Sequence, residues 1–151
     1  MASYRHLARS AVMQTLFAHE FRREVDPVSI LKYIVKEFYP DLADLKFAED
    51  MLKGVLEKQQ FIFDVIREEA PQWPIERIAP VDRAILEIGC YEILYSEDVP
   101  PIVAINEGVE IAKSFGDTNS GKFINGVLST VMHKYKPEAA EAQKEKQENK
   151  L

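Results

Sequence analysis

The chain has 151 residues, 46% apolar and 29% charged, with a formal net charge of −6 and one cysteine. That length fits a single domain able to bury a core without staples, and the composition excludes wholesale disorder. The lone Cys90 excludes an intrachain disulfide and reads as a small buried apolar residue. The histidines His6, His19 and His133 are scattered, so neither a metal site nor a cofactor is expected. No window approaches the ~18 consecutive apolar residues of a membrane span. No apolar run follows Arg5, His6 and Arg9 as a secretory signal would require, so the chain reads as soluble and cytoplasmic.

Charge is unevenly placed. Residues 1–23 carry Arg5, Arg9, Arg22 and Arg23 against Glu20 alone. Residues 76–110 carry Glu76, Asp82, Glu87, Glu92, Glu97, Asp98, Glu107 and Glu110 against Arg77 and Arg83. A basic start and an acidic middle suggest two partners or two solvated faces.

In chain order, 3–22 predicts a helix capped by Ser3, with Ala8, Ala11, Val12, Leu16 and Glu20 on its inward side. Asp26 and Pro27 start a second helix over 27–38. Helical spacing continues through 42–57 and 58–69, as one bent helix or two, with length favouring two. Residues 70–80 are a Pro-punctuated connector whose Trp73 and Ile75 are expected to tuck onto the core. Segment 80–95 is apolar around nearly all its circumference and predicts the central, buried helix. Pro101 opens a helix over 101–114, which ends at Phe115 and Gly116. The last helix, capped somewhere in 117–120, carries the stripe Ile124, Val127, Leu128, Val131 and Tyr135 and stops at Pro137. Residues 137–151 are charged and stripeless, and read as a flexible tail or frayed helix beyond a domain spanning 1–136. The expected fold class is therefore all-α, about seven helices packed as a bundle or a pair of bundles.

The sequence lacks a P-loop, GxGxxG, HExxH, GxSxG or CxxC pattern, and no enzyme activity is expected. Glu107 and Glu110 read as a solvated helical face. More specific is the first helix. Arg5 and Arg9 share a stripe at i, i+4, beside His6, Ser10 and Gln14. Arginine forks suit phosphate, and amides and hydroxyls can read bases. The second feature is the run NSGKFING at 119–126. There a helix N-terminus that favours anions stands beside Lys122 and the aromatic Phe123, which could stack a single-stranded base or simply cap the core.

These residues carry a resemblance. RSAVMQTLF (9–17), DRAILEIGCYEIL (82–94), DVP (98–100), AINEGVEIAKSFG (104–116) and KFINGVL (122–128), in this order and spacing, are similar to the NusB family of bacterial transcription antitermination factors, over roughly residues 3–135. The resemblance implies two small bundles built from about seven helices. It implies pairing with NusE, a small-subunit ribosomal protein, and joint recognition of single-stranded boxA RNA in ribosomal RNA leader transcripts. The pair would then help RNA polymerase resist termination. Carried over by position, RNA contacts fall on Arg5, His6 and Arg9, with Gln14 on the adjoining stripe, and on Asn119, Lys122 and Phe123. The NusE-facing surface falls on Asp82, Glu87 and Phe17. Two departures stand out. His6 occupies a place where many members carry arginine, which implies weaker or more pH-sensitive RNA binding. Gly108 stands where alanine is usual, which costs about 1 kcal/mol of helix propensity and allows a closer helix approach. Related domains occur fused to ribosomal RNA cytosine methyltransferases, but these 151 residues carry no such catalytic domain. A purely protein-binding scaffold is the rival of another class. Oligomeric state is left open, a homodimer included.

Overall fold

In the computed structural model, which describes residues 3–150, the chain is all-helical. Its α-helices are α1 (Tyr4–Phe21), α2 (Pro27–Phe38), α3 (Lys46–Glu57), α4 (Gln59–Glu69), α5 (Pro80–Tyr95), α6 (Pro101–Phe115), α7 (Ser120–Tyr135) and α8 (Pro137–Asn149), with a 3-10 turn at Ile75–Arg77. The expected seven are present. The eighth is the segment expected as a tail, and it lies against α7 and α6 with Ala140 buried.

Local chemistry places the starts. The Ser3 side chain accepts from the His6 backbone N–H at 3.1 Å and caps α1. Proline opens α2, α5, α6 and α8, where its missing N–H costs nothing and its fixed φ is already helical. Lys58 separates α3 from α4. At the start of α7 the Asn119 side chain makes no cap. Instead Asp117 Oδ1 accepts from the Asn119 backbone N–H at 2.8 Å, and Ser120 Oγ accepts from that of Asp117 at 3.0 Å. Gly116 ends α6 in extended, not left-handed, backbone.

The helices form two groups, α1–α2–α3 and α4–α5–α6–α7, joined mainly where α1 and α3 meet α5. A continuous buried core runs through both. α5 contacts α1, α3, α4, α6 and α7, which is why it is apolar on nearly every side. Close approach needs small residues. A Cβ on Gly89 would stand 2.5 Å from Leu128 Cδ1, and one on Gly108 would stand 3.2 Å from Ile124 Cγ2 and Leu128 Cδ1. Cys90 on α5 is fully buried, and burial pushes its thiol pKa well above the ordinary range. Among the described residues no helix is long and apolar enough to cross a membrane, and no cluster of His, Cys, Asp or Glu is arranged to hold a metal.

Candidate nucleic-acid interface

The first-helix strip is not the open basic face that its spacing predicts. Arg5 is exposed, its guanidinium 4.7 Å from the centre of the Phe47 ring. Arg9 is only 3% exposed. Its Nε and Nη2 donate to the two carboxylate oxygens of Glu92 on α5 at 2.7 and 2.9 Å. Such a planar two-pronged pair leaves little of the guanidinium for a phosphate. Arg9 also stands 3.9 Å from Glu107 on α6. His6 Nδ1 meets the same Glu107 oxygen at 2.7 Å. Gln14 is half-buried and accepts from the Tyr39 hydroxyl.

These contacts correct the two-face picture of charge. Asp82, Glu87 and Glu92 of the acidic middle are buried, not solvated. Arg9 pairs with Glu92, His6 contacts Glu107, and Arg83 pairs with Glu20. Much of the basic start and acidic middle is thus satisfied within the chain.

The second cluster does converge. Asn119, Lys122, Phe123 and Asp82 line a groove of about 510 Å³ between the 70–80 connector and the start of α7. Asn119 and Lys122 are exposed, and Phe123 is half-buried. Trp73 lines the same groove, its ring 5.7 Å from that of Phe123 in an edge-to-face arrangement. The expectation that Trp73 tucks onto the core is corrected, since it is 52% exposed, whereas Ile75 is buried. Asp82 is 9% exposed, and its Oδ1 is buried with no hydrogen-bond partner among the described residues. Burial raises the Asp82 pKa; the Ser120 hydroxyl opposes that rise and the Asp117 charge adds to it. A neighbouring surface hollow joins Lys122 to Asn106 and Asn125. Asn106 precedes Glu107 on α6, the residue that His6 touches.

The three candidate partner residues are not brought together. Phe17 is on the exposed side of α1, edge-on to Phe21 at 5.2 Å. Asp82 belongs to the α7 groove. Glu87 lines a separate cleft of about 360 Å³ with Leu16, Gln59 and Arg83. There it accepts from Gln59 Nε2 at 2.6 Å, and burial raises its pKa to about 7. Trp73 and Arg77 are the groove residues that sequence reasoning missed. The aromatic between two prolines was a usable signal for Trp73, but direction out of a loop depends on tertiary packing.

The arrangement offers cations and amides at the rim of a largely apolar groove, which suits a stacked base next to a phosphodiester. Comparisons with known proteins agree in fold and family. The family model for the NusB family matches residues 6–133. The transcription antitermination protein NusB of Bacillus pumilus is 39% identical over 132 residues, covering 87% of this chain and 97% of that protein. A structure of T. maritima NusB superposes with a TM-score of 0.79 at 39% identity, covering 93% of this chain and 99% of the other. The antitermination factor NusB, crystallised with NusE and double-stranded RNA, superposes at 0.77 with 25% identity, covering 89% and 100%.

Proposed function

This chain belongs to the NusB family and is a transcription antitermination factor, not an enzyme; we propose that with NusE, a small-subunit ribosomal protein, it binds single-stranded boxA RNA of ribosomal RNA leader transcripts and helps RNA polymerase resist termination. The observation that carries the RNA reading is the groove at the start of α7, where exposed Lys122 and Asn119 flank the Phe123 ring. The crystallised complex of a related NusB with NusE and RNA supports the choice of partners.

On this reading Arg5, His6, Asn119, Lys122 and Phe123 face the RNA. Arg9 and Gln14 act from beneath, holding α1 against its neighbours through Glu92 and Tyr39. Phe17 remains on the NusE side. Asp82 moves to the RNA side, and Glu87 supports the α4–α5 seam through Gln59. The domain proper is 1–136, with α8 an appendage outside the family match. The protein works in the cytoplasm.

A polarisation titration tests the reading. A labelled boxA-like RNA should bind weakly to the chain alone and much more tightly with NusE present, while a scrambled RNA gains little. Equal affinity with and without NusE removes the cooperative mechanism. No RNA binding under either condition leaves the protein-binding scaffold.

A further inference from the structure

Trp73 is the single tryptophan of the chain, and the fold leaves half of it in water. A large ring with an apolar body, left at the wall of a groove, offers a contact surface. The ring is also held still. Proline stands at 71 and 74, the Trp73 backbone N–H donates to the Ala70 carbonyl at 3.0 Å, and Phe123 braces the indole edge-to-face. A preorganised ring loses little freedom when a ligand stacks on it.

The rest of the groove narrows the ligand class. Ile78 supplies an apolar wall. Its four charges, Arg77 and Lys122 against Asp82 and Asp117, cancel, so the groove as a whole is poorly suited to phosphate. Within it Asp82 lines the wall, and a carboxylate is an acceptor that an N–H donor can satisfy. The exposed cations Arg77 and Lys122 can take phosphates outside. Flat, neutral, bearing N–H on one edge and flanked by anions: this is the description of a nucleobase in a single strand.

We propose that Trp73 forms the stacking wall of a single-nucleobase subsite, with the base against the indole, its N–H edge toward the Asp82 carboxylate and its flanking phosphates toward Arg77 and Lys122. The inference rests on the RNA-binding reading above and adds to it a residue and a mode of contact.

Because the chain has one tryptophan, its emission reports this subsite alone. The full chain, with and without NusE, is titrated with a short single-stranded boxA-like RNA and with an abasic strand of the same length. The intact RNA should quench or shift Trp73 emission, and the abasic strand should not. Trp73→Ala should weaken binding of the intact RNA about five- to 150-fold and leave the abasic strand's binding unchanged. Trp73→Phe should recover part of the loss. Lys122→Ala should weaken both strands alike. RNA that binds without moving the emission, and binds Trp73→Ala as tightly as the wild type, overturns the subsite while leaving the family reading standing. Emission that responds to NusE alone makes this a protein contact and equally overturns it. Absence of RNA binding in every arm removes both readings. The emission of the wild-type chain decides the matter even if Trp73→Ala folds poorly.

Discussion

Arg9 and Glu92 are 83 residues apart in sequence and meet in the interior at hydrogen-bonding distance. An unpaired carboxylate at 2% exposure is far worse than a paired one. Arg9→Ala should therefore lower unfolding stability by about 3–5 kcal/mol, measured by urea denaturation. Any loss of RNA binding should track the loss of folded protein. Glu87 poses a different problem. Burial raises its pKa from 4.5 to about 7, against the pull of the Gln59 hydrogen bond and the Arg83 charge. The native state therefore keeps this proton to higher pH than the unfolded chain does. Its contribution to stability is full below pH 4.5, declines as pH rises, and is lost above about 7, a change on the order of 3 kcal/mol. Glu87→Gln can still accept from Gln59 but cannot ionise. Thermal denaturation at acid and at mildly alkaline pH should show a flatter profile in the variant, and its gain over wild type should appear only on the alkaline side. A parallel pair of profiles would show that Glu87 does not titrate in this window.

At the scale of helices, the seam of α5 and α6 against α7 is set by missing side chains. Leu128 is fully buried, so it cannot swing away from a methyl placed on Gly89, which would meet Leu128 Cδ1 at 2.5 Å. Gly89→Ala should cost about 1–3 kcal/mol of overpacking and lower the Tm, despite alanine's helix preference. Gly126→Ala on α7 should do the reverse. Nothing lies within 4 Å of its added Cβ, and the helix should gain about 1 kcal/mol. The pair of variants, compared by thermal denaturation, separates backbone propensity at an open position from packing at a closed one. In sequence both positions are simply glycines in a helical pattern. Helix α8 shows the opposite limit. Its residues have helix-forming composition but no apolar stripe, so periodicity had nothing to detect, and a short contact around Ala140 is what ties it to α7.

For the molecule as a whole, the net charge of −6 and the internal pairing of Arg9 leave few cations for RNA. If Arg5, Arg77 and Lys122, all exposed, carry the phosphate contacts, the logarithm of affinity should fall against the logarithm of salt with a slope of about −2 for a single strand. Lys122→Ala should reduce that slope by about 0.7. Polarisation titrations across a salt series measure both. A steep slope in the chain alone would require a basic surface elsewhere.

The positions of the first seven helices, the starts at Ser3, Pro27 and Pro101, the centrality of α5 and the all-helical class could be read from residue order, because each depends on local capping or on periodicity along one helix. The cluster of Asn119, Lys122 and Phe123 was legible for the same reason, as all three sit on one helix start. What the tertiary structure alone decided was direction. The i, i+4 spacing aligns Arg5 with Arg9 but does not tell that α5 and α6 cover the second and leave the first open. Nor does spacing tell that Asp82 turns toward α7 while Glu87 turns toward α4, or that Trp73 points outward. Each of these depends on which partner from a distant part of the chain stands opposite, and burial, pairing and charge at the interface follow from that partner.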